Sequence, residues 1–263
     1  MGEPVLTLDT IGKVALLTLN RPAALNALSD QLLADLLRAL ADLAMDSTTR
    51  VVVLRGTGRA FCAGHDLKEM QAARTAADHG RGYFADLFAR CSAVMLGLRA
   101  LPQPVIAEVH GIATAAGCQL VASCDLAVAA EDARFGVNGV NIGLFCSTPM
   151  VPLSRNIPAK PALEMLLTGQ MITATRARDL GLINRIAAPD QLQADTMALA
   201  ETIAAKLGAA VRIGKRAFYD QIALDEAAAY EQTSRVMVEN MLWRDTAEGI
   251  DAFLAKRKPD WPG

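Results

Sequence analysis

Residues 105–125 form the stretch best suited to hold a developing negative charge. Val105–Val109 is short, apolar and β-branched, and it follows Pro102 and Pro104, which indicates a buried strand. Residues 115–118 are four small residues at the start of a predicted helix. Small residues let a ligand approach the backbone, and a helix start carries unpaired N–H groups and partial positive charge. The stretch therefore predicts either an oxyanion site or tight helix–sheet packing without a ligand.

A second stretch, residues 61–70, repeats this arrangement. Its sequence F-C-A-G-H-D-L-K-E-M follows a predicted buried strand at residues 51–55 and leads from small residues into a helix. The intervening Gly56 and Gly58 are not part of a dinucleotide fingerprint, because its third glycine would fall on Phe61. The chain therefore has two strand–loop–helix junctions of the same kind.

The composition is that of a globular protein without a basic surface. Hydrophobic residues make up 52% and charged residues 21%, with a net charge of −2, so neither nucleic acid nor a membrane is expected as a partner. The five cysteines include no C-x-x-C pair and are typical of reduced core residues, and no metal site is predicted. Glu3 and Asp9 argue against a signal peptide. We therefore expect a cytoplasmic protein.

The order of predicted elements indicates an α/β fold. Strands at residues 14–19, 51–55, 105–109, 126–130 and 182–186 alternate with helices, and everything after residue 189 has helical patterning. This alternation favours a largely parallel, helix-covered core. We expect a core over residues 1–190 and a helical C-terminal region over residues 191–263 whose apolar rows form an assembly surface.

Several motifs together resemble the crotonase, or enoyl-CoA hydratase/isomerase, superfamily, and within it a divergent hydratase-domain-containing subgroup. They run in order along nearly the whole chain. The motifs are N-R-P at 20–22, A-L-N-A-L at 24–28, F-C-A-G-H-D-L-K-E-M at 61–70, P-V-I-A-E-V-H-G at 104–111, G-C-Q-L-V-A-S-C-D at 117–125, R-F-G at 134–136, L-T-G-Q-M-I-T-A at 167–174 and G-L-I-N-R-I at 181–186.

This resemblance implies a crotonase-like spiral of ββα units and a helical C-terminal region that forms a trimer, which can double to a hexamer. It also implies an acyl-CoA thioester substrate, with coenzyme A as part of the substrate and no permanently bound cofactor. The backbone N–H groups of His65 and Ala116 are implied to hold the thioester oxygen. The implied substrate-binding residues are Arg21, Ala24, Leu25, Ala63, Gly64, Asp66, Lys68, Gly117, Phe253 and Lys256.

The departure from the family pattern concerns the two glutamates that hold and activate water in hydratases. By motif alignment, these positions are Gln119 and Gly139 in this chain. Glutamine cannot take or give the proton, and glycine has no side chain. The loss of a positioned acid or base typically lowers a rate by roughly 10²–10⁴.

The expected function is therefore an acyl-CoA-binding member of the family that is not an efficient hydratase. Decarboxylation of a malonyl-type thioester needs enolate stabilisation without a base, and thioester hydrolysis needs a stabilised oxyanion. Whether the chain is an enzyme stays open. The alternatives are a non-catalytic CoA-thioester binder or assembly subunit, and a hydratase that uses other acids, with Asp66, Glu69 and Asp86 as candidates.

Overall fold

The structure, a computed structural model, describes residues 3–261. Its strands are Leu6–Ile11 (β1), Val14–Leu19 (β2), Val51–Gly56 (β3), Val105–Val109 (β4), Ile112–Thr114 (β5), Leu126–Ala130 (β6), Arg134–Gly136 (β7), Ile172–Thr173 (β8) and Arg185–Ala187 (β9). The α-helices are Asp30–Met45 (α1), Leu67–Ala73 (α2), Arg81–Ala100 (α3), Ala116–Ser123 (α4), Met150–Asn156 (α5), Ala159–Thr168 (α6), Ala174–Leu180 (α7), Leu192–Ala204 (α8), Gly208–Gln221 (α9), Glu226–Met241 (α10) and Arg244–Leu254 (α11). Short 3-10 helices lie at Pro22–Ala24 and Asn138–Ile142.

The strands form two sheets between which the chain alternates. The larger sheet has the order β1-β2-β3-β4-β6-β9, and all its pairs are parallel except β1 with β2. The smaller sheet has the order β5-β7-β8. Each of β4 and β6 joins the larger sheet and is followed by a strand of the smaller one, which gives the spiral of ββα units that the resemblance implied.

The larger sheet is buried on both faces, as expected for a mainly parallel sheet. In β2, Leu17 and Leu19 point to the side covered by α1, α3 and α4, while Val14 and Leu16 point to the other side. The second face is covered by α8, which contributes Leu192, Leu199 and Ala200. The helix α8 therefore shares a core with the sheet, although it lies beyond the expected boundary at residue 190.

The sequence pattern located most of the larger sheet correctly. The predicted strands at residues 14–19, 105–109 and 126–130 have the observed bounds, and β3 is one residue longer than predicted. The last strand is wrong in position, because residues 182–184 are irregular and β9 begins at Arg185. β1 was not predicted, and none of its six residues is buried. The strands of the smaller sheet were not predicted either, since two or three residues leave no periodicity to read.

The last two helices, α10 and α11, leave most of their apolar side chains exposed in the single chain. No residue of α10 is buried, and α11 buries Ala252 alone. Phe253 is 82% exposed and Leu242 80% exposed. Within residues 3–261, no helix has both the length and the apolar character that a membrane span requires.

Candidate functional site

A cavity of about 710 Å³ lies where the two small-residue stretches meet. One side, here called the amide wall, consists of residues 63–66 and 114–116. The opposite side, here called the loop wall, consists of residues 138–149. Residues of both walls line the cavity, together with Phe88 and Met70 from the helices beside it.

The amide wall is held by hydrogen bonds between segments that are distant in sequence. The Cys62 N–H donates to the Ile112 carbonyl at 3.1 Å, and the Cys62 carbonyl accepts from the Thr114 N–H at 3.0 Å. The loop after β3 thereby adds an isolated bridge, Cys62 to Ala113, to the smaller sheet. A second bridge joins Leu28 to His65. Two loops become one rigid surface.

Glycines allow these loops to approach each other. Gly117 packs directly against the Cys62 carbonyl oxygen, so that any β-carbon at residue 117 would overlap it. Gly64 has φ +96°, a conformation that side chains disfavour, and a β-carbon there would lie 3.4 Å from the Ala116 nitrogen. The backbone at residues 64 and 65 is therefore adjacent to the start of α4.

Two backbone donors at the amide wall have no protein acceptor within residues 3–261. In the bridge to Leu28, the Gly64 carbonyl and the Asp66 N–H make the hydrogen bonds, which turns the His65 N–H to the other side. The Ala116 N–H is the first of α4, where an N–H has no intrahelical partner. Neither N–H has an acceptor among the hydrogen bonds of the described chain. The wall therefore carries two N–H donors that are not used by the described chain.

Ala115, which precedes the second donor, has an unusual backbone conformation. Its φ is 50° and its ψ is −119°, a region that glycine occupies easily and alanine does not. Its N–H donates to the Gly136 carbonyl at 2.9 Å, which holds it against β7. This strain could not be predicted from residue types, because an alanine beside three other small residues is equally compatible with a relaxed helix start.

Of the two positions aligned with the family's glutamates, only one lines the cavity. Gln119 is 3% exposed and does not line the cavity, and its amide oxygen is 3.9 Å from the Cys91 sulfur. Gly139 does line the cavity, but a β-carbon there would overlap the Leu144 carbonyl oxygen and lie 2.8 Å from Cys146 Sγ. Neither position offers a proton carrier to the cavity.

Each of the three acids considered as an alternative proton carrier already has a hydrogen-bond or ion-pair partner in the protein. Asp66 lines the cavity, but it caps α2 and is ion-paired with Arg21 at 3.0 Å. Burial raises the pKa of Asp66, and the hydrogen bonds from Arg21 and the Lys68 N–H outweigh this, leaving a lowered pKa. Glu69 accepts from the Asp30 N–H at 2.8 Å, and Asp86 pairs with Arg90 at 2.6 Å. Neither Glu69 nor Asp86 lines the cavity.

The predicted substrate-binding residues divide into two groups. Arg21, Ala24, Leu25, Ala63, Asp66 and Lys68 line the cavity, as does Arg59, which sequence reasoning missed. The other four, Gly64, Gly117, Phe253 and Lys256, do not line it. Gly64 is part of the amide wall, and Gly117 packs against the Cys62 carbonyl oxygen behind it. The motif around Phe61 could have drawn attention to Arg59, which stands two residues before it.

The cavity holds one thiol and no set of metal ligands. Cys146 lines the cavity and accepts from the Gly139 N–H at 3.3 Å, and burial raises its pKa. A raised pKa leaves a thiol largely protonated and weakly nucleophilic. Within residues 3–261, no three His, Cys, Asp or Glu side chains lie close enough together to hold a metal ion.

Comparisons with known proteins agree with the fold and the motifs. The model of the enoyl-CoA hydratase/isomerase family matches residues 9–263. The chain belongs to this family. It is 46% identical over 245 residues to human enoyl-CoA hydratase domain-containing protein 3, covering 93% of this chain and 79% of the relative. The mouse protein of the same name is 45% identical, and the match covers 93% of this chain and 80% of the relative.

Solved structures give the same result. A Mycobacterium smegmatis enoyl-CoA hydratase superposes with a TM-score of 0.95 at 53% identity, covering 99% of this chain and 100% of that one. The structure of the human enoyl-CoA hydratase domain-containing protein 3 superposes with a TM-score of 0.93 at 43% identity. The match covers 98% of this chain and 100% of that one. The expected cytoplasmic location is wrong on this evidence, because the relatives from human, mouse and Xenopus laevis are named mitochondrial.

Proposed function

We propose that the protein binds an acyl-CoA thioester in this cavity and stabilises negative charge on the thioester oxygen with the N–H groups of His65 and Ala116. The observation that carries the proposal is the pair of unaccepted backbone donors on adjacent loops. Fixed donors in a site shielded from water stabilise a developing oxyanion without reorganisation. Membership of the enoyl-CoA hydratase/isomerase family supports the choice of substrate.

The protein is not an efficient hydratase. Hydration needs one group that takes a proton from water and one that delivers a proton to carbon. Gln119 is outside the cavity, Gly139 has no side chain, and Asp66 is held by Arg21. The reactions that remain need charge stabilisation without a carboxylate base, namely loss of carbon dioxide from a malonyl-type thioester or thioester hydrolysis. Coenzyme A enters as part of the substrate, and no permanently bound cofactor is required.

The coenzyme A part of the substrate lies at the mouth of the cavity. Lys68 is exposed there, and Arg59 adds a second charge, while Ala24 and Leu25 offer apolar contacts. Lys68→Glu weakens coenzyme A binding about tenfold and flattens its salt dependence. The matched control is Lys160→Glu, because Lys160 is also exposed but does not line the cavity. Equal effects of the two changes would remove Lys68 from the site.

The chain assembles as a trimer or a hexamer, in which the C-terminal region over residues 191–263 covers exposed apolar side chains. Support comes from Phe253, Leu242 and Val238, each more than half exposed in a single chain. Phe253 and Lys256 then reach the substrate of a neighbouring copy, which accounts for their absence from this chain's own cavity. Sedimentation that gives a monomer at micromolar concentration contradicts this part of the proposal.

The oxyanion donors are tested by replacing the amide at residue 116 with a backbone ester. A proline there is unsuitable, because Ala115 has a backbone conformation that does not precede proline. The ester removes one donor and no protein hydrogen bond. Turnover falls by roughly 10²–10³, and a bound, isotope-labelled thioester carbonyl shows a smaller lowering of its infrared stretching frequency. An unchanged frequency contradicts the assignment.

A panel of thioesters separates the candidate functions. The expected result is turnover of a malonyl-type thioester or simple thioester hydrolysis, with little hydration of crotonyl-CoA. Binding without any product favours a non-catalytic CoA-thioester binder. Hydration at the rate of ordinary enzymes, with a kcat of about 1–10³ s⁻¹, overturns the proposal.

A further inference from the structure

The imidazole of His65 is the polar group that the proposed mechanism leaves unused. His65 lines the cavity, and both of its ring nitrogens are buried and have no hydrogen-bond partner in the part of the chain the structure describes. Buried polar atoms are nearly always paired, so each exception requires an explanation. The other histidines differ, since His110 Nε2 contacts the Gly58 carbonyl oxygen at 2.9 Å and His79 is exposed.

The surroundings keep this ring neutral. Burial and the nearby positive charge of Arg90 lower the pKa of His65 to about 4. The ring lies edge to face with Phe88, with the ring centres 5.6 Å apart. A neutral imidazole has one N–H donor and one acceptor nitrogen. It can therefore make two hydrogen bonds, and residues 3–261 supply a partner for neither.

A second polar group faces the same cavity. Thr114 Oγ1 donates to Asn138 Oδ1 at 2.7 Å, which leaves the Asn138 amide nitrogen without a protein acceptor among the described residues. The lining carboxylate of Asp66 is neutralised by Arg21 at 3.0 Å. The cavity thus offers N–H donors and has no unpaired negative charge that would repel an oxygen-bearing acyl group.

We propose that the His65 imidazole binds an oxygen substituent on the acyl group, so that the protein prefers acyl-CoA thioesters bearing a hydroxyl or a carboxylate over plain hydrocarbon chains. This inference rests on the proposed function, because the N–H of His65 holds the thioester oxygen. The ring is joined to that N–H through Cα and Cβ alone, which places it beside the first carbons of the acyl chain. Since both nitrogens are shielded in this conformation, the ring turns to another rotamer on binding.

Binding measurements with three thioesters test this selectivity. The probes are butyryl-CoA, 3-hydroxybutyryl-CoA and malonyl-CoA, measured by calorimetry. The unmodified protein binds one of the oxygen-bearing thioesters about tenfold tighter than butyryl-CoA. His65→Leu abolishes this preference. The readout is the ratio of the affinities for the oxygen-bearing thioesters and for butyryl-CoA within each protein, so a change in overall affinity does not affect it. His79→Asn, which also removes one histidine but at an exposed residue with φ 55°, keeps the preference.

Nuclear magnetic resonance of the ring nitrogens gives a readout on the protein that keeps His65, so it does not depend on the folding of a His65 variant. The chain has three histidines, so His65 is assigned by difference. A carboxylate partner raises the pKa of the ring and causes proton uptake on binding, whereas a hydroxyl partner shifts the ring nitrogen signals without proton uptake.

The outcomes separate this inference from the proposed function. If no thioester binds, the proposed function fails. If all three bind equally, and saturation leaves the His65 ring signals unchanged, the proposed function stands and the selectivity inference is overturned. A preference that persists in His65→Leu also overturns it, because the selecting group then lies elsewhere in the cavity.

Discussion

The two walls of the cavity are built in opposite ways. The amide wall is held to the core by hydrogen bonds between segments that are distant in sequence. Ala116 in the wall and Cys62 behind it are both fully buried. The loop wall is held largely by its own turn, with the Leu144 N–H donating to the Gly139 carbonyl at 3.0 Å, and it exposes Ile142 by 63%. Under the proposed function, the thioester carbonyl therefore binds to a surface that is fixed by the fold, whereas the loop wall can change its conformation without unfolding the protein.

The largest expected effect comes from forcing the amide wall apart. Gly117→Ala places a β-carbon against the Cys62 carbonyl oxygen, and no flexible side chain can move aside. We expect a loss of about 3 kcal/mol or more in the free energy of unfolding, together with loss of thioester binding.

The control for Gly117→Ala is Gly143→Ala in the loop wall. A β-carbon at residue 143 has nothing within 4 Å, and only its φ of +77° disfavours alanine, so the cost is about 1 kcal/mol. Chemical denaturation of both variants measures the difference. Equal costs would mean that the two walls do not differ in rigidity.

The second effect is the pH dependence that His65 imposes on the amide wall. Its pKa is lowered to about 4 by burial and by Arg90, which pairs with Asp30 and Asp86. The unfolded state binds the proton from about pH 6.5 downwards, whereas the folded state does so only near pH 4. The contribution of the neutral His65 ring to the free energy of unfolding is therefore fully present above pH 6.5. It falls by up to about 3 kcal/mol as the pH drops to 4.

His65→Leu removes this part of the acid sensitivity. As the pH falls from 6.5 to 4, the free energy of unfolding should decrease more in the unmodified protein than in the variant. Denaturant midpoints across this range measure it, with His79→Asn as the control at an exposed histidine. Parallel curves for the unmodified protein and His65→Leu would show that burial does not disfavour the charged ring.

The sequence could predict the amide wall better than the loop wall, for a physical reason. Strand patterning and small residues located the junctions at residues 61–70 and 105–125, because burial and close backbone contact restrict residue types strongly there. Residues 136–149 have no periodicity, so neither the 3-10 helix at Asn138–Ile142 nor the contact between Gly139 and Leu144 could be read from them. The orientation of Gln119 also depended on tertiary packing against Cys91.

The third prediction concerns an attempt to give the loop wall a carboxylate. In the variant with both Gln119→Glu and Gly139→Glu, the first carboxylate is buried outside the cavity and the second displaces residues 139–146. We expect a loss of about 2 kcal/mol in stability and no gain in hydration of crotonyl-CoA. Gly139→Ala alone reports the steric part. Hydration by a folded double variant would show that the loop wall rearranges to bring both carboxylates together.

The smallest expected effect is a gain in stability within the amide wall itself. Ala115 has a positive φ of 50°, which costs an alanine of order 1–3 kcal/mol, and glycine removes that cost. Glycine also enlarges the conformational freedom of the unfolded chain, so the net gain of Ala115→Gly is about 1 kcal/mol. Ala122→Gly in the interior of α4 should instead lose about 1 kcal/mol. If both changes destabilise equally, Ala115 is unstrained. If Ala115→Gly stabilises the fold but weakens thioester binding, the strain serves to fix the Ala116 N–H, since a rigid amide is what the thioester oxygen requires.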